Sequence, residues 1–289
     1  MIFSWGNTLE INRLVIVPFL LFIQLVNCGK LSSPGDMQMA ASIVIMNSYS
    51  QPLTQSKSII EDTADTVTDA PNHTGVGFRD SRLAVNGIRG AGSTSGSGDV
   101  FSLTNTGNSA SITLEWKNKR VLNGSGIDFI VFENSFNYNG DNASRYMEAI
   151  IVEVSQDNIN YCGFSPDYTF SNESTYSKNP QYWQRFAGIT PVLYNMDTNP
   201  LYGEDLYTSQ KVGGDAFDID NLSSSNDYGI GCSTILRDKI KSEGFIYIRL
   251  TSATARVNPD TVQNYLQDSG AFGGGADVDG VIAKYRASR

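Results

Sequence analysis

Histidine is almost missing from this chain: there is one, His73. That excludes zinc sites built on several histidines and leaves any Ser-His-Asp or Cys-His scheme only His73 to use. His73 sits in A-P-N-H-T-G, a turn-like stretch, and reads as an ordinary loop residue. Cysteine is scarce as well, with three residues at 28, 162 and 232, too scattered for a zinc cluster. No basic block interrupts a net charge of −9, which argues against nucleic-acid binding. There is no D-x-D-x-D-G loop of EF-hand type. The glycine-rich stretch 83–98 lacks the Lys-Ser/Thr ending of a phosphate loop and reads as turns between strands. Helix signals are few, limited to Thr234–Lys241 and Pro259–Leu266.

Strand signals are plentiful. Ser111–Trp116 alternates, with Ile112, Leu114 and Trp116 on one face. Asp128–Phe132, Ala149–Val154 and Phe245–Leu250 are near-continuous apolar runs of the kind found in central strands. Ser42–Met46, Val100–Leu103 and Val278–Tyr285 complete the set, with turn residues at 123–126, 156–158 and 258–260 between them. Residues 50–75 are polar and read as a long loop. The pattern predicts an all-β fold: two packed antiparallel sheets in a jelly-roll-like β-sandwich, with long loops and one or two short helices.

The longest apolar run is short. Residues 14–26, L-V-I-V-P-F-L-L-F-I-Q-L-V, are too few to span a bilayer comfortably and fit the hydrophobic region of a signal peptide. The run ends at L-V-N-C, where Cys28 resembles the modified cysteine of a bacterial lipobox, although Asn27 departs from the usual small residue. The expected organisation is a lipoprotein signal peptide at 1–27, a tether at 28–38 behind lipidated Cys28, and a single β domain at 39–289. Export would allow a Cys162–Cys232 disulfide, which sequence alone leaves open.

Five motifs occur in order: D-F-I-V-F-E-N (128–134), M-E-A-I-I-V-E-V-S-Q-D-N (147–158), F-A-G-I-T-P-V (186–192), G-G-D-A-F-D-I-D (213–220) and G-A-D-V-D-G-V (275–281). Together they resemble a family of bacterial cell-surface β-sandwich proteins. V-N-G-I-R-G-A-G (85–92) and D-V-F-S-L (99–103) are similar to its spirochaete lipoprotein branch, where a relaxed residue before the cysteine is typical. The resemblance implies an outer-membrane, surface-exposed lipoprotein and a β-sandwich, and says little about activity. Val278 and Gly280 stand where related members carry Leu and Ala.

The acids in these motifs are the candidate site. Period-two counting puts Glu148 on the face of Ile150, Val152 and Val154, pointing inward at the end of a sheet. A bare carboxylate there is costly, so it must be paired, protonated or bound to a cation. Glu133, Asn134, Glu148, Asp215, Asp218, Asp277 and Asp279 supply only oxygen-bearing side chains, and calcium takes six to eight oxygens. Calcium is therefore the expected cofactor, with Asp218 and Asp277 foremost among the ligands and Asp220 a solvent-facing residue or turn cap. A structural reading stands beside it: acids next to glycines close turns, or pair with Arg145, Arg185 or Arg249. So does a catalytic one, with two carboxylates acting on a glycoside. Tyr138, Tyr146, Tyr182 and Trp183 fall in loops rich in Asn and Ser and are the candidate ligand-stacking rings. The expected protein is a lipid-anchored, calcium-dependent binding module for carbohydrate or a host extracellular protein, rather than an enzyme. A carboxylate-dependent glycoside hydrolase and a purely structural envelope lipoprotein are the alternatives.

Overall fold

The structure is a computed structural model that describes residues 62–71, 78–104, 110–224, 230–268 and 275–289. All of them fall in one compact unit, and the signal segment, Cys28, the tether, Ser42–Met46 and His73 lie outside the described residues.

Nine strands form the two main sheets: β1 (Thr66–Asp69), β2 (Phe101–Ser102), β3 (Ser111–Glu115), β4 (Phe129–Glu133), β5 (Ile150–Ser155), β6 (Tyr161–Gly163), β7 (Asp215–Phe217), β8 (Tyr247–Ser252) and β9 (Asp277–Ala283). One sheet has the order β1-β3-β8-β5-β6 and the other β7-β4-β9-β2. Every strand pair in both is antiparallel. The fold is all-β, as the alternation and the turn signals require.

One core cluster draws on both sheets. Ile112, Leu114, Val152, Val154, Ile248 and Leu250 come from the five-stranded sheet, and Phe101, Phe129, Val131, Phe217, Val278 and Val281 from the four-stranded one. Trp116 joins them, as the alternation of β3 predicts. The outer faces are covered too. Ile130, Phe132 and Ile282 pack against Tyr194, Leu206 and Val212. Ile151 packs beneath Tyr168, Trp183 and Phe186. Strands buried on both faces have little polar side to show, which is why β4 and β5 read as near-continuous apolar runs, broken in β5 only by Glu153. Cys162 at the end of the core is disulfide-bonded to Cys232.

Two expectations need correction. The loop at 50–75 contains β1, whose T-V-T-D carries no clear alternation because only an edge pairing to β3 holds it. Pro259–Leu266 is not a helix. Val262 N–H does close one turn onto Asn258 O at 2.9 Å. Val262 then adopts φ +58°, and Gln263–Asn264 returns to pair with Val257–Asn258. The other expected helix is present as Thr234–Glu243, opened by the Ser233 hydroxyl accepting from Leu236 N–H.

Glycine pairs set the entry to β7. Gly213 and Gly214 adopt φ +71° and +65°, and a Cβ on Gly213 would lie 2.0 Å from Pro191 O. The G-G of G-G-D-A-F-D-I-D is thus a backbone requirement.

Candidate functional site

The end of the two-sheet core holds three carboxyls. Glu133 shares the inward face of Phe129 and Val131, and Glu148 precedes Ile150 on the inward face of β5. Asp277 opens β9 and donates its N–H to Glu133 Oε1 at 3.1 Å. Glu133 is 2% exposed, and its Oε2 is buried without a hydrogen-bond partner. Burial first, then the neighbouring Glu148 and Asp277, push the Glu133 carboxyl well above the usual range. Burial, with Asp277 adding to it, pushes Glu148 up to about 8. Gln267 Nε2 donates to Glu148 Oε1 at 3.0 Å. Burial also raises Asp277, against hydrogen bonds from Ser102 and Asn134. Glu148 points inward as the period-two counting expects, and Glu133 and Asp277 meet it there.

The remaining predicted oxygens are engaged elsewhere. Asn134 grips the loop before β2: its Oδ1 accepts from Ser97 N–H, and its Nδ2 donates to Ser97 O at 3.1 Å and Asp277 Oδ2 at 3.3 Å. Asp279 is the extra residue of a β-bulge, since Val278 faces Glu133 while Gly280 faces Phe132. The bulge separates it from Asp277, and both its oxygens accept from Arg89 N–H at 3.1 Å. Burial raises Asp279 to about 8. Asp218 does not join the cluster. It caps the turn Ile219–Asn221, its Oδ1 accepting from Asp220 N–H at 2.8 Å. Because Phe217 faces Phe129, Asp218 lies level with Asp128, about 17 Å along the strand from Glu133 at roughly 3.3 Å per residue. Asp220 is solvent-facing, one of the two expected roles, and accepts from Asn123; the turn cap is Asp218. Among the described residues, no group of three or more His, Cys, Asp or Glu side chains is arranged to hold a metal ion.

A second feature lies beside the cluster. The loop Phe186–Thr190 passes between them. A Cβ on Gly188 (φ +81°) would meet Glu148 O at 2.4 Å and Glu133 Cγ at 3.3 Å. On its other side, Ile189 N–H and Thr190 N–H donate to Asp215 Oδ2 at 2.9 and 3.3 Å. Asp215 and Asp218 both line an open cleft of about 830 Å³. Burial raises Asp215 to about 6. Arg145, Arg185, Gln181, Gln184 and Asn221 also face this cleft. Arg145 Nη1 donates to Ile189 O at 2.8 Å, and burial lowers its pKa. Arg185 adopts φ +59°, and its Nε donates to Ser165 O.

The candidate rings divide. Trp183 is 3% exposed and packs on Tyr168 with centroids 4.2 Å apart, its Nε1 donating to Ser177 O. It lines the cleft as part of the core beneath and is not a free stacking platform. Tyr182 packs against Phe170 at 4.9 Å. Tyr138 and Tyr146 stand 5.0 Å apart and both contact Lys178, whose Nζ lies 4.6 and 4.4 Å from their ring centres. Lys178 pairs in turn with Asp268. These two rings hold an internal cation.

Of the arginines weighed as partners for buried acids, only Arg249 serves as one. It takes Glu153 as a fork at 2.9 and 3.0 Å, and Arg256 adds a contact at 2.7 Å. Glu153 and Asp128 are wholly buried acids that sequence reasoning did not single out. Asp128 accepts from Gly124 N–H and Ile219 N–H, both at 2.7 Å. A charged residue inside or at the mouth of an apolar run was the available signal for both. The cleft had no such signal, because its residues come from four separate stretches of chain.

No family model matches the chain, and neither a curated protein nor a solved structure does.

Proposed function

We propose that this is an exported, lipid-anchored surface protein of the bacterial outer membrane that binds carbohydrate in the cleft beside the Phe186–Thr190 loop. Anchoring and export rest on the apolar run 14–26 and Cys28. The observation that carries the binding reading is Arg185. A bulky residue at φ +59° costs on the order of 1 kcal/mol, and here it places a guanidinium at the edge of a cleft of about 830 Å³. Strain held at the wall of a concave site marks binding function more than packing. Amides at 181, 184 and 221, the arginines and the carboxylates give the mixture of donors and acceptors that sugar hydroxyls require. A concave site also suits an oligosaccharide better than the flat face of a host protein. A glycan array with the full chain tests the reading. Glycan binding that Arg185→Gln weakens at least tenfold supports it. Turnover of a glycan, abolished by Asp218→Asn, replaces it with the hydrolase.

Calcium dependence is a separate proposal. One observation favours it: Glu133 Oε2 lies buried and unpartnered beside Glu148 and Asp277. Calcium would have to displace protons from raised carboxyls, so its affinity would rise steeply with pH. Melting at pH 9 in calcium and in EDTA tests this. An identical melting point removes calcium from the account and leaves the cleft untouched.

A further inference from the structure

Several buried or half-buried arginines in this protein sit against carboxylates. Arg89 lies 2.7 Å from Asp197, Arg249 2.9 Å from Glu153, and Arg286 against Asp62. The two in the cleft differ. Arg145 makes no ion pair among the described residues, and its Nε is buried without a hydrogen-bond partner. Asp215, the opposite charge that acts on it, makes no ion pair with it and accepts with Oδ2 from the Ile189 and Thr190 N–H groups. Arg185 reaches Asp167 only at 4.0 Å, with its side chain 49% exposed. Two guanidinium groups thus share one concave site with neither closely neutralised. Half-burying the Arg145 guanidinium without an anion is costly, and a planar carboxylate matches the fork of the exposed Arg185.

We infer that the cleft takes a sugar bearing a carboxylate, which meets the guanidinium of Arg185 with Arg145 as the fixed positive charge behind it. This rests on the carbohydrate reading. Asp215 and Asp218 occupy the same cleft and repel an anion from their side. They therefore orient the ligand, with its hydroxyls toward the acids and its carboxylate toward Arg185. The lowered pKa of Arg145 is in keeping with a charge awaiting a partner.

The test uses the full chain and titration calorimetry. The probes are uronic-acid and sialic-acid oligosaccharides, each paired with its carboxyl-reduced counterpart. At least one acidic form is expected to bind tenfold or more tightly than its reduced partner. Arg185→Gln should abolish that preference, and Arg185→Lys should retain part of it by keeping charge without the fork. Thermal melting of both variants controls for folding. A reduced form that binds as tightly as the acidic one overturns the carboxylate assignment and leaves the carbohydrate reading standing. Binding of neither form overturns both. A preference that disappears in EDTA also overturns the inference, because a bridging cation and not arginine would then hold the carboxylate.

Discussion

Arg185 offers a test in which the sign of an effect decides. At an ordinary position with negative φ, Ala is the more stable replacement, because Gly carries about 0.4–1 kcal/mol more chain entropy into the unfolded state. Arg185 has φ +59°, where any residue with a Cβ is disfavoured by roughly 1–2 kcal/mol and Gly is not. Comparing Arg185→Gly with Arg185→Ala cancels what both lose, namely the guanidinium and its bond to Ser165 O. The balance favours Gly by about 0.5–1 kcal/mol. In a domain of this size 1 kcal/mol moves the melting point by about 2–4 °C, so the Gly variant should melt about 1–4 °C above the Ala variant. Differential scanning calorimetry of both variants at one pH measures it. An Ala variant that melts at or above the Gly variant would refute the claim that the backbone is strained at the cleft. The binding argument would then lose its main support.

Raised carboxyls make stability depend on pH in one direction. Glu148 and Asp279 are shifted to about 8, and Asp128 and Asp215 to about 6. Each holds its proton in the folded state at a pH where the unfolded chain has lost it. The contribution of these four groups is therefore full below about pH 4 and falls as pH rises through the folded values, by about 1.4 kcal/mol per pH unit for each proton retained. Denaturant melts from pH 5 to 9 should show the midpoint decline, and Glu148→Gln should flatten it; a rising midpoint would contradict the burial of these groups. Asp128→Ala strips an acceptor from one buried and one half-buried N–H group and should cost about 2–4 kcal/mol in urea unfolding. Glu153→Ala leaves Arg249 and Arg256 without their carboxylate and should cost about 3–5 kcal/mol by the same assay. Gly188→Ala forces a Cβ to 2.4 Å from Glu148 O at φ +81° and should cost about 1–3 kcal/mol in urea unfolding.

The parts of the fold that could be read in advance are those where side-chain period and burial agree. Ile112, Leu114 and Trp116 alternate because β3 has an inward face, and F-I-V-F is continuous because β4 is covered on both sides. The same counting placed Glu148 inward, and the structure sets Glu133 and Asp277 beside it. It failed where a single residue broke the period. Asp277 and Asp279 look like one-face neighbours, but the bulge at Asp279 sends them to different partners. It also failed where a polar side chain serves the backbone: Asp218 caps a turn and Asn134 clamps a loop, and neither role leaves a periodic trace. β1 was missed because an edge strand needs only main-chain pairing. The cleft was invisible because nothing local links Arg145 to Asn221.

The Cys162–Cys232 bridge joins residues 70 apart in sequence, and every residue lining the cleft except Arg145 lies inside that ring. A protease that nicks an exposed turn within it would leave both ends covalently tied to the scaffold, so the pocket wall could survive cleavage that would detach an open loop. The cleft is in this sense armoured against proteolysis, and reductant followed by limited proteolysis should strip that protection away.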